Sequence, residues 1–147
     1  MSLEQWLENS WIRKVEPSKQ EIANLLAVAK REIADASLDG MSPDGRFVHA
    51  YDAIRVLCET ALHARGYAVK KGERQHERAL ESLKFTLAGD QAKEVDFYDQ
   101  ARRLRHKSMY ERMGVVEQKL ADDLLEGARK LYAGVEEWLR REHPNLV

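Results

Sequence analysis

One cysteine, Cys58, in 147 residues leaves no partner for an intramolecular disulfide and no set of thiolates for a metal cluster. It lies in an apolar stretch that suits a small buried hydrophobe, and cysteine scarcity points weakly to a cytoplasmic address. Three prolines and eight glycines are too few for a collagen-like or low-complexity chain. No uncharged apolar run approaches the roughly 18 residues that a membrane span needs. The opening MSLEQWLENSW has no basic region leading into an apolar core, so a secretion signal is not expected either. Net charge is also scarce. With 24 Lys plus Arg against 25 Asp plus Glu, the formal charge is −1, which lacks the broad positive field of an obligate nucleic-acid binder. Any basic site must be local.

What is present is 33% charged and 44% apolar residues, a composition that folds. The chain length fits one domain with one hydrophobic core, residues 1–147, of which 1–17 are expected as an N-terminal extension packed on the body. Ile22, Leu25, Leu26, Ala29, Ile33 and Ala36 recur at the three-and-four spacing of a helix face, with Ser18 and Glu21 as a capping box and Asp39-Gly40 as a stop. This predicts a helix over 18–37. A second, over 43–65, opens at Ser42-Pro43, carries Phe47, Tyr51, Ile54, Leu57, Cys58, Ala61 and Leu62, and ends at Gly66. Residues 67–74 read as a surface loop. Helices follow over about 76–87, 91–112 and 117–141, the last carrying Leu120, Leu124, Ala128, Leu131, Val135 and Trp138 before Pro144. A short helix over 3–9 should pack Trp6 on the body. Nothing reads as a strand, so the expected fold is an all-α, up-and-down antiparallel bundle of four to five main helices plus that short N-terminal helix.

The most unusual local composition is residues 100–112, QARRLRHKSMYER, where Arg102, Arg103, Arg105, Lys107 and Arg112 stand against Glu111 alone for a formal +4. Guanidinium groups present donors in a planar fork that suits phosphate, which makes Arg102, Arg103, Arg105 and Lys107 candidate anion- or nucleic-acid-binding residues. The alternative is a solvated helix face. On a continuous helix Phe97, Ala101, Leu104 and Ser108 form the buried stripe, with the arginines beside or outside it.

The order LDGMSPDGRFVHAYDAIRVLCETALHARGY, a loop, QHERALESLKFTL, then DFYDQARRLRHKSMYE and a closing amphipathic helix resembles the HEPN family (higher eukaryotes and prokaryotes nucleotide-binding) over about residues 40–141. The phrases SPDGRF and RRLRHKSMY are similar to an uncharacterised bacterial branch of that family. The resemblance implies a helical bundle that forms a homodimer with the basic motifs facing a shared cleft. It further implies an RNA or nucleotide ligand, or a minimal nucleotidyltransferase antitoxin as partner. Active members carry an arginine, a polar residue after it and a histidine four to six residues beyond the arginine. By that pattern Arg105, His106 and Tyr110 are the candidate catalytic residues. Tyr110 departs from it, since an unperturbed tyrosine, with pKa about 10, is a poor general base at pH 7, and His106 would have to take over. Arg105 and Tyr110 also point about 140° apart on an unbroken helix.

Other constellations are weaker. Glu73 and His76 hold the Glu-x-x-His spacing of di-iron bundles, but there is only one copy at a loop-to-helix junction; no metal and no cofactor are expected. Glu59 and His63, one turn apart, form a candidate polar pair, and His49 and His143 have no partner that the sequence names. The tryptophans are scattered rather than interleaved with the basic cluster, as packing residues are. Two readings follow. The first is a nucleotide- or nucleic-acid-associated interaction module, one component of a toxin–antitoxin type pair as the resemblance implies, whose acidic stretch over 117–126 complements the basic motif. The alternative is a metal-independent endoribonuclease toxin acting through Arg105 with His106 and Tyr110 across a dimer cleft.

Overall fold

The computed structural model describes residues 1–87, 89–110, 114 and 116–147, and all of their side chains except those of 107–110. Its element order is α1 (Leu3–Glu8), β1 (Ile12–Lys14), α2 (Lys19–Ala36), α3 (Pro43–Ala64), β2 (Tyr67–Val69), α4 (Gln75–Glu81), α5 (Leu83–Thr86), α6 (Gly89–Ala92), α7 (Val95–Tyr110) and α8 (Gln118–Glu142), closed by a 3-10 turn, Pro144–Leu146. The fold is an all-α bundle carrying one small sheet.

α3 is the central element. It packs most extensively on α2 and α8, and its remaining surface meets α4, α7, α5 and β2. Small side chains let the axes approach: Ala29 and Ala36 of α2, Ala50 and Ala53 of α3, and Ala121 and Ala128 of α8 are all fully buried. Leu57, Leu124, Leu131 and Val135 fill the space between them. Cys58 is in this core as expected, and burial raises its thiol pKa well above the ordinary value, so it stays protonated.

The helix starts follow local chemistry. Ser18 caps α2 by accepting the Glu21 N–H at 3.1 Å, and Ser42 caps α3 by accepting that of Gly45 at 3.0 Å, with Pro43 in the first turn. Gly66, at φ +89°, ends α3 in the left-handed region that a side chain disfavours. The phrase SPDGRF is a structural joint. Asp44 accepts the N–H of Gly114 at 2.6 Å and of Val116 at 3.3 Å, tying the start of α3 to the segment before α8. Arg46 donates from Nε to the Ala36 carbonyl at 2.8 Å and from Nη2 to that of Leu38 at 3.0 Å. It thereby satisfies acceptors that the end of α2 leaves orphaned. Its Nη1 meets Asp122 of α8 at 3.0 Å, so one guanidinium joins three helices. Phe47, next in the phrase, is fully buried.

Three expectations need correction. β1 and β2 pair antiparallel, Ile12 with Val69 and Lys14 with Tyr67, so residues 67–69 are a strand rather than loop. Three residues per strand are too few to show alternation in the sequence. The helix expected over 76–87 breaks at Ser82, which hydrogen-bonds to the Ala79 carbonyl at 2.7 Å, and that over 91–112 breaks between Ala92 and Val95. The N-terminal residues carry a small core of their own: Leu3, Trp6 and Ile12 close on Leu62, with Trp11 and Phe85 against Trp6 at ring separations of 5.8 and 5.3 Å.

Candidate anion-binding cleft

One flank of α3 is polar. Tyr51, Asp52, Arg55 and Glu59 recur at one-turn spacing along it, beside the stripe that enters the core. α7 lies against this flank and brings Arg102 and Arg105; α4 and the turn before it bring Gln75 and His76. Together with Gly72, Glu73, Glu77 and His106, residues Tyr51, Gln75, His76, Arg102 and Arg105 line a cavity of about 270 Å³.

Arg105 is held inward, with only 21% of its side chain exposed. Its guanidinium lies 5.5 Å from the centre of the Tyr51 ring, a cation–π contact, and its Nη2 is 3.3 Å from Asp52 Oδ1. That ion pair lacks hydrogen-bond geometry: Tyr51 Oη, Asp52 Oδ1, Arg55 Nε and Arg105 Nε are all buried with no hydrogen-bond partner among the described residues. Native folds satisfy nearly all such groups, because each orphan costs about 1–3 kcal/mol. Here three belong to α3 and the fourth to α7, which lies against it.

The charges of Arg102 and Arg103 are compensated from just outside that window. Arg102 Nε donates to Asp99 Oδ1 at 2.8 Å, and Arg103 Nη2 sits 2.8 Å from Asp99 Oδ2. Arg55 is paired with Glu59 at 3.0 Å. The stripe is wider than expected: Ala101 is buried and Phe97 and Leu104 are packed on the core, and Val95 and Tyr98 join them as fully buried members. The side chain of Ser108 lies outside the described residues, and Arg102 and Arg105 turn toward α3 and α4 rather than to solvent. Arg103, 70% exposed, does face solvent as expected, so the structure separates it from Arg102 and Arg105. His106 is exposed and lines the mouth of the cleft. The side chains of Lys107 and Tyr110 lie outside the described residues, although both belong to α7.

Electrostatics keep the imidazole of His76 neutral and the hydroxyl of Tyr51 protonated. Burial lowers the pKa of His76 below its ordinary 6.5, and Arg55, Arg105 and Arg102 lower it further while Asp52 opposes them; the ring is neutral at pH 7. Burial likewise raises the Tyr51 pKa, outweighing the same arginines, so its hydroxyl remains a donor. A wall of hydroxyl and guanidinium donors with two imidazoles can hold an oxyanion.

A larger cavity, about 800 Å³, adjoins this one through Gln75 and is lined by β2, α2 and α3. Its charges are of both signs, Arg13, Lys70 and Lys71 against Glu21 and Glu59, and His63 is already engaged, its Nε2 accepting the Ser18 N–H at 3.2 Å. Thus Glu59 and His63 do not pair with each other. The acidic residues of 117–126 are also engaged locally: Asp122 meets Arg46, Asp123 meets Lys119 at 2.9 Å, and Glu126 is 3.8 Å from Arg129. The smaller cleft, though Glu73 and Glu77 also line it, is the better site, because among the described residues it combines the inward-held Arg102 and Arg105 with orphaned donors on Tyr51 and Arg105.

Of the residues that the sequence singles out, Arg102, Arg105 and His106 line this one cavity, whereas Tyr51, Asp52, Arg55 and His76 are not singled out for it. Tyr51, Asp52 and Arg55 were submerged in the apolar periodicity of α3, although a polar stripe at steps of one, three and four was legible there. His76 carries no cleft signal in the sequence, because the cleft is built by chain-distant helices. No family model, curated protein or solved structure matches the chain.

Proposed function

We propose that this cleft binds a single phosphate group, as carried by a nucleotide or an RNA end, and that the chain acts as a nucleotide- or nucleic-acid-associated interaction module. The carrying observation is the pair of buried, unpartnered donors, Tyr51 Oη and Arg105 Nε, on residues that line a cavity also presenting Arg102 and His76, with the unpartnered Arg55 Nε one turn along α3 from Tyr51. A bound oxyanion is the simplest group that gives such donors a partner. The cavity is smaller than the roughly 300–1,000 Å³ of sites for drug-sized ligands, and its volume suits a phosphate with part of its attached sugar. Compensation by Asp99, Asp52 and Glu59 argues for a defined site rather than a non-specific polyanion surface. The HEPN resemblance supports the same ligand class. It also supports a homodimer and, as a partner, a minimal nucleotidyltransferase antitoxin.

Calorimetric titration of AMP, inorganic phosphate and adenosine into the full chain tests this. AMP and phosphate are expected to bind and adenosine not to; Arg105→Ala should weaken AMP by about 10–100-fold, the worth of a charge-assisted hydrogen bond. Equal binding of AMP and adenosine, or no loss in the variant, overturns the proposal.

One observation favours the ribonuclease reading as a second. His76, neutral at pH 7, stands in the cleft with Arg105, where the chemistry of RNA cleavage needs a proton acceptor for the 2′-hydroxyl. In that reading Arg105 stabilises charge on the scissile phosphate, His76 takes the proton and His106 at the mouth returns one to the leaving oxygen. Incubation with total RNA and a labelled tRNA pool, with Arg105→Ala and His76→Gln alongside, separates the two: cleavage lost in both variants establishes the enzyme, and intact RNA with phosphate binding retained establishes the module.

A further inference from the structure

We propose that Glu32 and Asp35 of α2 and His49 of α3 form a binding site for a divalent first-row transition-metal ion of the Zn²⁺ type, independent of the cleft. Each of the three offers one ligand atom, and these atoms all lie within 4.8 Å of one another. A tetrahedral site with bonds of about 2.0–2.2 Å sets its ligand atoms roughly 3.4 Å apart, so small side-chain rotations suffice to close around an ion. His49 Nδ1 already lies 2.7 Å from Glu32 Oε2, a hydrogen-bond position that a metal ion takes over when it displaces the proton between them.

The surroundings fit a cation better than they fit its absence. Glu32 and Asp35 are three residues apart on one helix face, where like charges repel, and both are half-buried. Arg31 meets Glu32 at Oε1, 3.3 Å away, leaving Oε2 toward His49. The Asp35 carboxylate has no ion pair and no hydrogen bond among the described residues, although Arg46 works at the adjacent end of α2 on the carbonyls of Ala36 and Leu38. Two carboxylates neutralise a dication, which lowers the cost of holding both half out of water. The imidazole selects against Mg²⁺ and Ca²⁺, which take oxygen sets, and in favour of Zn²⁺, Co²⁺ and related ions. The ligands sit on α2 and α3, whose packing is the most extensive between any two elements, so the site is pre-positioned by the fold. Three protein ligands leave a coordination position for water.

Co²⁺ titration of the full-length protein, read by visible absorption, tests the site directly. The expected result is ligand-field bands of four- or five-coordinate cobalt that saturate at one equivalent and are displaced by Zn²⁺. His49→Ala should abolish the bands and weaken Zn²⁺ binding, measured by calorimetry, at least about tenfold, by analogy with losses at supporting residues of known sites. Asp35→Asn, nearly isosteric and without effect on the α2–α3 apolar contact, should weaken it in the same direction with an unchanged circular dichroism spectrum. A pale octahedral cobalt spectrum in the wild type, or equal Zn²⁺ affinity in wild type and both variants, overturns the proposal. AMP binding by the Arg-lined cleft is expected to be the same with and without the metal.

Discussion

The two flanks of α3 follow different rules. Toward α2 and α8 the helix presents Ala50, Ala53, Ile54, Leu57 and Ala61, all fully buried and all apolar. Toward α4 and α7 it presents Tyr51, Asp52 and Arg55, each with a buried polar atom that lacks a partner. The first flank gains apolar burial at about 25 cal/mol per Å² and leaves no polar group exposed to desolvation. The second carries a desolvation cost that packing alone does not recover. A single helix can hold both because the stable flank fixes its position, and the unsatisfied flank then keeps its donors aimed without help from a ligand. Proteins commonly concentrate local penalties of this kind where they bind something.

This contrast is most severely tested by Leu57→Ala, which should cost about 2–5 kcal/mol of unfolding free energy in urea, with phosphate binding at low temperature retained. Next comes Arg46→Ala, which frees two carbonyls at the end of α2 and a carboxylate on α8; about 1–3 kcal/mol is expected in the same assay. Arg105→Ala should have the opposite profile, lowering AMP affinity while the urea midpoint stays close to wild type or rises, because the removed group is itself incompletely satisfied. A large drop in the midpoint would make the polar flank a structural element and dissolve the contrast.

Acid should weaken the fold in a defined window. His63, His76 and His143 all have pKa values lowered below 6.5, in each case chiefly by burial. The unfolded chain therefore takes up protons before the folded one, so the stabilisation is present above pH 6.5 and is lost as the pH falls through the lower folded values. Protonated His63 also loses the lone pair that accepts the Ser18 N–H. Thermal melts should show a falling midpoint from pH 7 to pH 5, and His63→Gln should flatten that slope. The smallest effect belongs to Arg141→Ala: its partners Glu137 and Glu142 are exposed, and no measurable change in the melting midpoint is expected.

The bundle was legible because its signals are local. Ser18, Ser42 and Gly66 mark helix ends by their own chemistry, and the spacing from Leu124 to Trp138 needs only one helix to be read. The strands were not, since Ile12 and Val69 find each other only after α2 and α3 have folded between them. The site was legible in part for the same reason. Arg102 and Arg105 stood out by composition, but the window that made them conspicuous began one residue after Asp99, the carboxylate that holds two of its arginines. Whether an arginine faces solvent or a neighbour was beyond helical arithmetic, because the buried face of α7 adds Val95 and Tyr98 to the expected Phe97, Ala101 and Leu104.

The pairing of Ile12 with Val69 also closes a loop of more than fifty residues with only three residues on each side. Closing a loop of that length is entropically costly, and the small core of Leu3, Trp6 and Ile12 on Leu62 is what offsets it, so α1 and β1 are expected to open independently of the larger core. Their backbone amides should exchange with solvent through an opening that leaves the α2–α3–α8 core intact. Because β2 runs directly into the turn carrying Gly72 and Glu73, each such opening loosens one rim of the cleft. Truncation of residues 1–14 is therefore expected to speed amide exchange at the turn carrying Gly72 and Glu73 while leaving exchange in α2, α3 and α8 unchanged.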